Sequence, residues 1–211
     1  MNQAVMISIQ PKWCEKIASG EKIIEVRKNK PSIDTPFKCY IYCTNQKTIG
    51  DFILCKSDEN STLFGYNSAV GVNKSIAKDG DIQLKGKVIG EFICDVIFPI
   101  KVFENGAIQD YIRYHMEKSC VAYDELVEYI GKGKVGYGWG ISDLVIYDEP
   151  KELSEFKTFC KSYYDGGKCD DCKYLIDGRG YEYDESDCGC NGLKPITRPP
   201  QSWGYVSEVG I

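Results

Sequence analysis

Three of the four ionisable side chains in Gly20-Glu21-Lys22-Ile23-Ile24-Glu25-Val26-Arg27, those of Lys22, Glu25 and Arg27, are spaced so that they could act together. Their spacing is G-x-K-x-x-E-x-R. Ile24 and Val26 alternate with Glu25 and Arg27, the period-2 pattern of a half-buried strand, so both charged side chains leave one face. Lys22 follows Gly20, where a tight turn can bring its amine over the same face. Arg27 carries a fork of fixed donors suited to a phosphate or a carbonyl edge. Glu25 can accept from an exocyclic amine or a ring N–H. An amine held beside a second cation can serve as a base or nucleophile. Lys22, Glu25 and Arg27 are therefore the candidate ligand-binding set, with Lys22 and Glu25 the candidate catalytic pair. The plainer alternative is a solvated strand, with Glu25 and Arg27 an exposed ion pair of little energetic weight.

The elements around the trio read clearly. Val5 to Gln10 is apolar enough for a strand. Pro11 suits the first helical turn, where its missing N–H costs nothing. Trp13 and Ile17 lie one turn apart on a helix that Gly20 stops. Lys22 to Lys28 is the next strand. Phe37 to Thr44, Phe52 to Cys55 and Gly138 to Tyr147 read as strands, and Lys87 to Phe103 is the strongest strand run, with a bulge or bend at Gly90 and Pro99. Glu59 to Gly80 reads as a long loop, Ser119 to Ile130 and Pro150 to Phe156 as helices, and Trp203 to Val206 as a closing strand. A β-α-β start followed mainly by strands predicts an α+β fold, with a barrel as the way to hide sheet edges.

The G-x-K-x-x-E-x-R motif after a Pro-started, Gly-stopped helix resembles the signature of the ASCH domain, a small PUA-like β-barrel associated with RNA and modified nucleosides. Ile7 to Lys28 resembles the N-terminal strand-helix-strand of that family. Trp139 to Leu153 (WGISDLVIYDEPKEL) and Arg198 to Val206 (RPPQSWGYV) resemble its C-terminal segments in phage and bacterial members. The resemblance implies a cleft beside the first helix, faced by Lys22, Glu25 and Arg27, that binds RNA or a modified nucleoside. One branch of the family removes the acetyl group from N4-acetylcytidine, using a lysine and a threonine of the motif with a glutamate elsewhere. Lys22 matches the lysine, but Glu25 stands where the threonine would be. Glu91 is a candidate second carboxylate. Ribonuclease chemistry is the other enzymatic alternative. The histidine that relatives carry after the tryptophan of the W-x-I-S segment is Gly140 here. On this reading, alanine at Lys22 or Arg27 abolishes binding and leaves the fold intact. Trp139, Trp203 and Tyr137 are candidate base-stacking aromatics, against the alternative that they fill the core.

Residues 160 to 195 change character: Gly, Asp, Cys and Tyr dominate. Cys169-x-x-Cys172 and Cys188-x-Cys190 resemble the two knuckles of a zinc ribbon, with one spacer residue missing from the second. A structural zinc would hold a segment with almost no apolar content. Cys160 is a fifth thiol, and free thiols or disulfides are the alternatives. This acidic arm could also contact a partner protein. The domain reading is a barrel over 1–157, a Cys-rich insertion over 158–197 and a closing strand over 198–211.

Composition limits the rest. The chain has 211 residues and a net charge of −5, so any nucleic-acid site is a local patch on an acidic body. Lys12, Lys16, Lys22, Arg27, Lys28 and Lys30 supply the cations for such a patch. A single histidine, His115, excludes an H-E-x-x-H zinc site. No apolar run reaches the ~20 residues of a membrane span, and the N-terminus lacks the pattern of a signal peptide, so the cytoplasm is the expected location. The 11 cysteines fit a reducing compartment, those in strand runs (Cys39, Cys43, Cys55, Cys94) acting as small buried hydrophobes. No organic cofactor is implied.

Overall fold

In the computed structural model, strand β1 (Gln3–Ile9) is buried on both faces and divides the core in two. Val5, Ile7 and Ile9 pack on one side with Cys14, Ile17, Cys39, Ile41 and Trp139. Ala4 and Met6 pack on the other with Tyr40, Val88, Phe156 and Val206. Alternate residues of one strand thus serve two apolar layers, which is why the run carries no charge.

The structure describes residues 3–45, 52–56, 69–73, 82–109, 112–160 and 192–208, with the backbone alone for 52–56, 69–73, 82–83 and 113. After β1 come α1 (Pro11–Ala18), β2 (Ile24–Arg27), β3 (Phe37–Cys43), β4 (Phe52–Lys56), β5 (Ala69–Asn73), β6 (Ile82–Gln83), β7 (Val88–Cys94) and β8 (Ile97–Lys101). Then follow α2 (Arg113–Glu117), α3 (Tyr123–Ile130), β9 (Val135–Gly140), β10 (Ser142–Lys151), β11 (Lys157–Phe159), β12 (Leu193–Pro195) and β13 (Trp203–Ser207). The protein is α+β. Its main sheet has the order β10-β7-β3-β1-β13, and a second sheet has the order β2-β9-β8. No ladder joins these two sheets among the described residues, so they are not closed into a hydrogen-bonded barrel.

β1 and β3 run parallel, with Ile9 opposite Cys43. A parallel pair needs a crossover, and α1 with β2 supplies it. Pro11 opens α1 after an extended Gln10, and Gly20 follows the helix at φ +77°, a left-handed conformation that glycine adopts without strain. The long apolar run divides into β7 and β8 after Cys94, so the expected bend is a full break between two sheets. Gly90 lies beside shifts of register on both sides of β7, and a Cβ there would stand 2.3 Å from the Val145 carbonyl oxygen. Pro99 sits mid-strand in β8, an edge strand, where its missing N–H removes no ladder bond from a central position.

Several sequence expectations are corrected. Ala69–Asn73, within the stretch read as loop, pairs with β4 as strand β5. β10 continues to Lys151, and the expected helix beyond it shrinks to a 3-10 turn at Leu153–Glu155. The single strand read through 138–147 is two strands, β9 and β10, in different sheets. Helix α2 and the β11–β12 pair carry no strong periodic signal and were not expected. No helix among the described residues is long and apolar enough to cross a membrane.

Candidate ligand-binding cleft

Lys22 is placed by the way α1 ends. Past Gly20 the chain folds back, and the Lys22 N–H donates to the Lys16 carbonyl at 2.9 Å. This turn aims the side chain inward, and Lys22 is only 1% exposed. Its ammonium donates to the carbonyls of Ile24 at 2.8 Å and Ser119 at 2.7 Å. It also lies 3.2 Å from Glu25 Oε2 and 5.0 Å from the centre of the Trp13 ring. The amides of Ile23 and Ile24 donate to the Lys118 carbonyl. Lys22 therefore clamps the corner between α2 and α3 onto the start of β2.

Glu25 and Arg27 leave the same face of β2, as period-2 spacing requires. Both are buried, at 5% and 8% exposure. Arg27 Nη2 lies 3.0 Å from Glu25 Oε1 and donates to the Ser8 carbonyl at 2.7 Å, and Nη1 donates to Ser202 Oγ at 3.3 Å. Glu25 thus bridges two buried cations. The solvated-strand alternative is excluded by this burial. The burial also argues against alanine at Lys22 leaving the fold intact, because the ammonium donates to two buried carbonyls and pairs with a buried carboxylate.

Above this trio opens a cleft of about 540 Å³. The ends of β1 and β3 give it Ser8, Gln10 and Thr44, the approach to β13 gives Gln201 and Ser202, α1 gives Trp13, and α3 gives Glu125, Glu128 and Tyr129. The volume suits a small organic molecule, for which sites span roughly 300–1,000 Å³. Among the described residues, four buried side-chain polar atoms lack a hydrogen-bond partner: Glu25 Oε2, Arg27 Nε, Thr44 Oγ1 and Trp139 Nε1. The first three belong to residues that line the cleft. Glu25 Oε2 is close to the Lys22 ammonium, but accepts no hydrogen bond from it. Burial pushes the Tyr129 hydroxyl up, only partly offset by the Arg27 guanidinium beside it.

No protein-family model matches the sequence, and no curated protein matches it. Solved structures do. The crystal structure of ASCH from Zymomonas mobilis matches over 97% of this chain and 88% of its own, at 13% identity and a TM-score of 0.51. The chain has the ASCH fold. A serine-to-alanine variant of the same Zymomonas mobilis protein matches at 12% identity and a TM-score of 0.50, over 97% and 89% of the two chains.

Within this ASCH fold the other candidates fall elsewhere. Trp139 stands opposite Glu25 in the β2–β9 ladder but is wholly buried, with Phe37 and Trp203 against it at 6.0 and 5.9 Å between ring centres. Trp203 is half-buried on that core, and neither tryptophan nor Tyr137 lines the cleft. Trp13 and Tyr129 are the aromatic walls instead. His115 packs on the Phe98 ring, 4.8 Å between centres. Cys39, Cys43 and Cys94 are buried free thiols, and burial raises Cys94 to about 12. Cys160 is also buried and free. Cys169, Cys172, Cys188 and Cys190, with most of the 158–197 segment, lie outside the described residues, as does the side chain of Cys55.

Glu91 lies on the main sheet, away from the cleft lining, and accepts from the Tyr147 hydroxyl at 2.6 Å with Lys38 Nζ at 2.9 Å. Burial pushes its carboxyl up, but Tyr147 and Lys38 outweigh this and leave it below its ordinary value. A depressed folded-state pKa contributes stability above the ordinary carboxylate range, which is lost as pH falls through the folded value. Urea midpoints of the protein and its Glu91→Gln variant should therefore converge as pH falls from about 6 to about 3. A gap that stays constant over that range would assign no stability to the Glu91 charge.

Proposed function

We propose that the cleft binds the edge of a single nucleobase, presented as a nucleoside or as an unpaired residue of RNA. The observation that carries this reading is a set of buried atoms in one small cleft that lack a hydrogen-bond partner, Glu25 Oε2 keeping only its ion pair to Lys22. Arg27 Nε offers a donor, Glu25 Oε2 an acceptor and Thr44 Oγ1 either. Buried polar groups without partners are rare in folded proteins, and such an exception calls for a specific cause. A base edge presents donors and acceptors side by side, and Trp13 and Tyr129 offer aromatic surface for its face. The ASCH fold is consistent with this, since the group that the sequence resembles is associated with RNA and modified nucleosides.

Binding without turnover is the reading we favour over hydrolysis. Lys22 gives its ammonium to two carbonyls and Glu25, so it acts as a structural clamp rather than a free base. The test is titration of the protein with a nucleoside panel that includes N4-acetylcytidine, followed by Trp13-sensitive fluorescence. Saturable binding is expected. Thr44→Val keeps the shape of the side chain and removes its hydroxyl. It should weaken binding about 3- to 10-fold, the worth of one neutral hydrogen bond, and should not lower the urea midpoint, since it removes a buried hydroxyl that has no partner. Release of acetate from N4-acetylcytidine would move the reading to an amidohydrolase. No binding of any panel member, nor of a short single-stranded RNA, would refute it.

A further inference from the structure

The linear sequence gathers six cations near the site, but the fold commits four of them. Lys16 pairs with Glu21 and Lys12 with Glu125, each at 2.8 Å. Lys22 and Arg27 are buried among their acceptors. Meanwhile α3 brings in two carboxylates from a hundred residues away. Glu125 and Glu128 are three apart on the helix and share the face that lines the cleft. The lining then holds Lys22, Arg27 and Lys28 against Glu25, Glu125 and Glu128, a balance unlike the basic grooves that track phosphates.

From this balance we infer that the cleft selects an uncharged nucleoside, and that the acidic wall of α3 turns away the same nucleoside carrying a 5′-phosphate. This rests on the base-binding reading above and adds the substrate class. A phosphate in the cleft would meet no free arginine fork, because both terminal nitrogens of Arg27 are already engaged. It would also lie against Glu128 and against Glu125, whose exposed pair with Lys12 offsets its charge only in part, with Lys28 the one lining cation outside the buried trio among the described residues, so like charges raise the cost of binding. An uncharged guest gains hydrogen bonds to Glu25 Oε2, Arg27 Nε and Thr44 Oγ1, which otherwise make none, and releases few counterions.

The experiment is calorimetric titration of the full chain with cytidine, N4-acetylcytidine, uridine, adenosine and guanosine and with their 5′-monophosphates. Each is measured at about 50 mM and about 300 mM salt, a span over which phosphate contacts lose much of their affinity. For the nucleoside that binds, the 5′-monophosphate should bind about tenfold more weakly at low salt, with the gap closing as salt screens it. The nucleoside's own affinity should change by no more than about twofold over that span. Glu128→Gln should narrow the gap, and Glu125→Gln with Glu128→Gln should narrow it further. Monophosphates binding as tightly as nucleosides, or a gap untouched by both variants, would overturn the acidic-wall inference and leave base binding standing. Failure of nucleosides and monophosphates alike to bind would overturn both.

Discussion

Lys22→Met should destabilise the protein by about 3–5 kcal/mol, the cost of removing one partner from a buried charge pair. The substitution keeps most of the side-chain volume and deletes the ammonium. It leaves the Ile24 and Ser119 carbonyls without their donor and removes one of the two cations beside Glu25. Of the hydrogen bonds described above between this corner and the chain entering β2, those that the Lys118 carbonyl accepts from Ile23 and Ile24 would remain, beside the apolar packing of α2 and α3. Urea unfolding of the two proteins measures the loss. A midpoint unchanged in Lys22→Met would show that the ammonium does not clamp this corner. Because α3 forms one wall of the cleft, ligand binding should weaken in the same variant, as a consequence of the lost fold and not of a lost contact.

Arg27→Lys should do the reverse. A lysine ammonium can still face Glu25 and the Ser8 carbonyl, so the charge balance of the buried trio survives. It cannot also offer the donor that Arg27 Nε now points without a partner, nor the contact to Ser202. Nucleoside affinity should fall about 10- to 100-fold, the range for a hydrogen bond to a charged group. The urea midpoint should shift far less than in Lys22→Met. Equal losses of stability in the two variants, with nucleoside affinity unchanged in Arg27→Lys, would remove Arg27 from the binding site.

The parts of the site that could be read from the sequence were the local ones. Gly20 marked the turn, and the alternation of Ile24, Glu25, Val26 and Arg27 fixed which side chains share a face. These depend on neighbours a few residues apart. What was hidden depends on long-range packing. Thr44 reaches the cleft only because β3 runs parallel to β1, its N–H donating to the Ile9 carbonyl. Ser202 arrives because β13 lies along β1, and its carbonyl accepts from the Ser8 N–H. Glu125, Glu128 and Tyr129 are brought by α3, whose docking is set by contacts such as Ile130 against Gly136, where a Cβ would stand 2.7 Å away. Nothing in the local pattern of Tyr123 to Ile130 reveals which helix face meets β2.

Burial was the other quantity that the sequence concealed. A Lys-Glu-Arg cluster reads as solvated because each charge alone belongs in water. Only the arrangement in space, with Glu25 between two cations and carbonyls on the far side of Lys22, makes burial tolerable. Trp139 misled in the opposite sense. Its place opposite Glu25 is right for the site, yet Phe37 and Trp203 pack against it, and they come from β3 and β13.

The most direct measurement is the Arg27 Nε–H signal in nitrogen-proton correlation spectra, assigned by its loss in Arg27→Lys and followed as the binding nucleoside is added. A base edge engaging the cleft floor should move that signal saturably and slow its exchange with water, at the same ligand concentrations that saturate the fluorescence change. An Arg27 Nε–H signal that stays in place while the nucleoside saturates the protein would contradict binding at this floor.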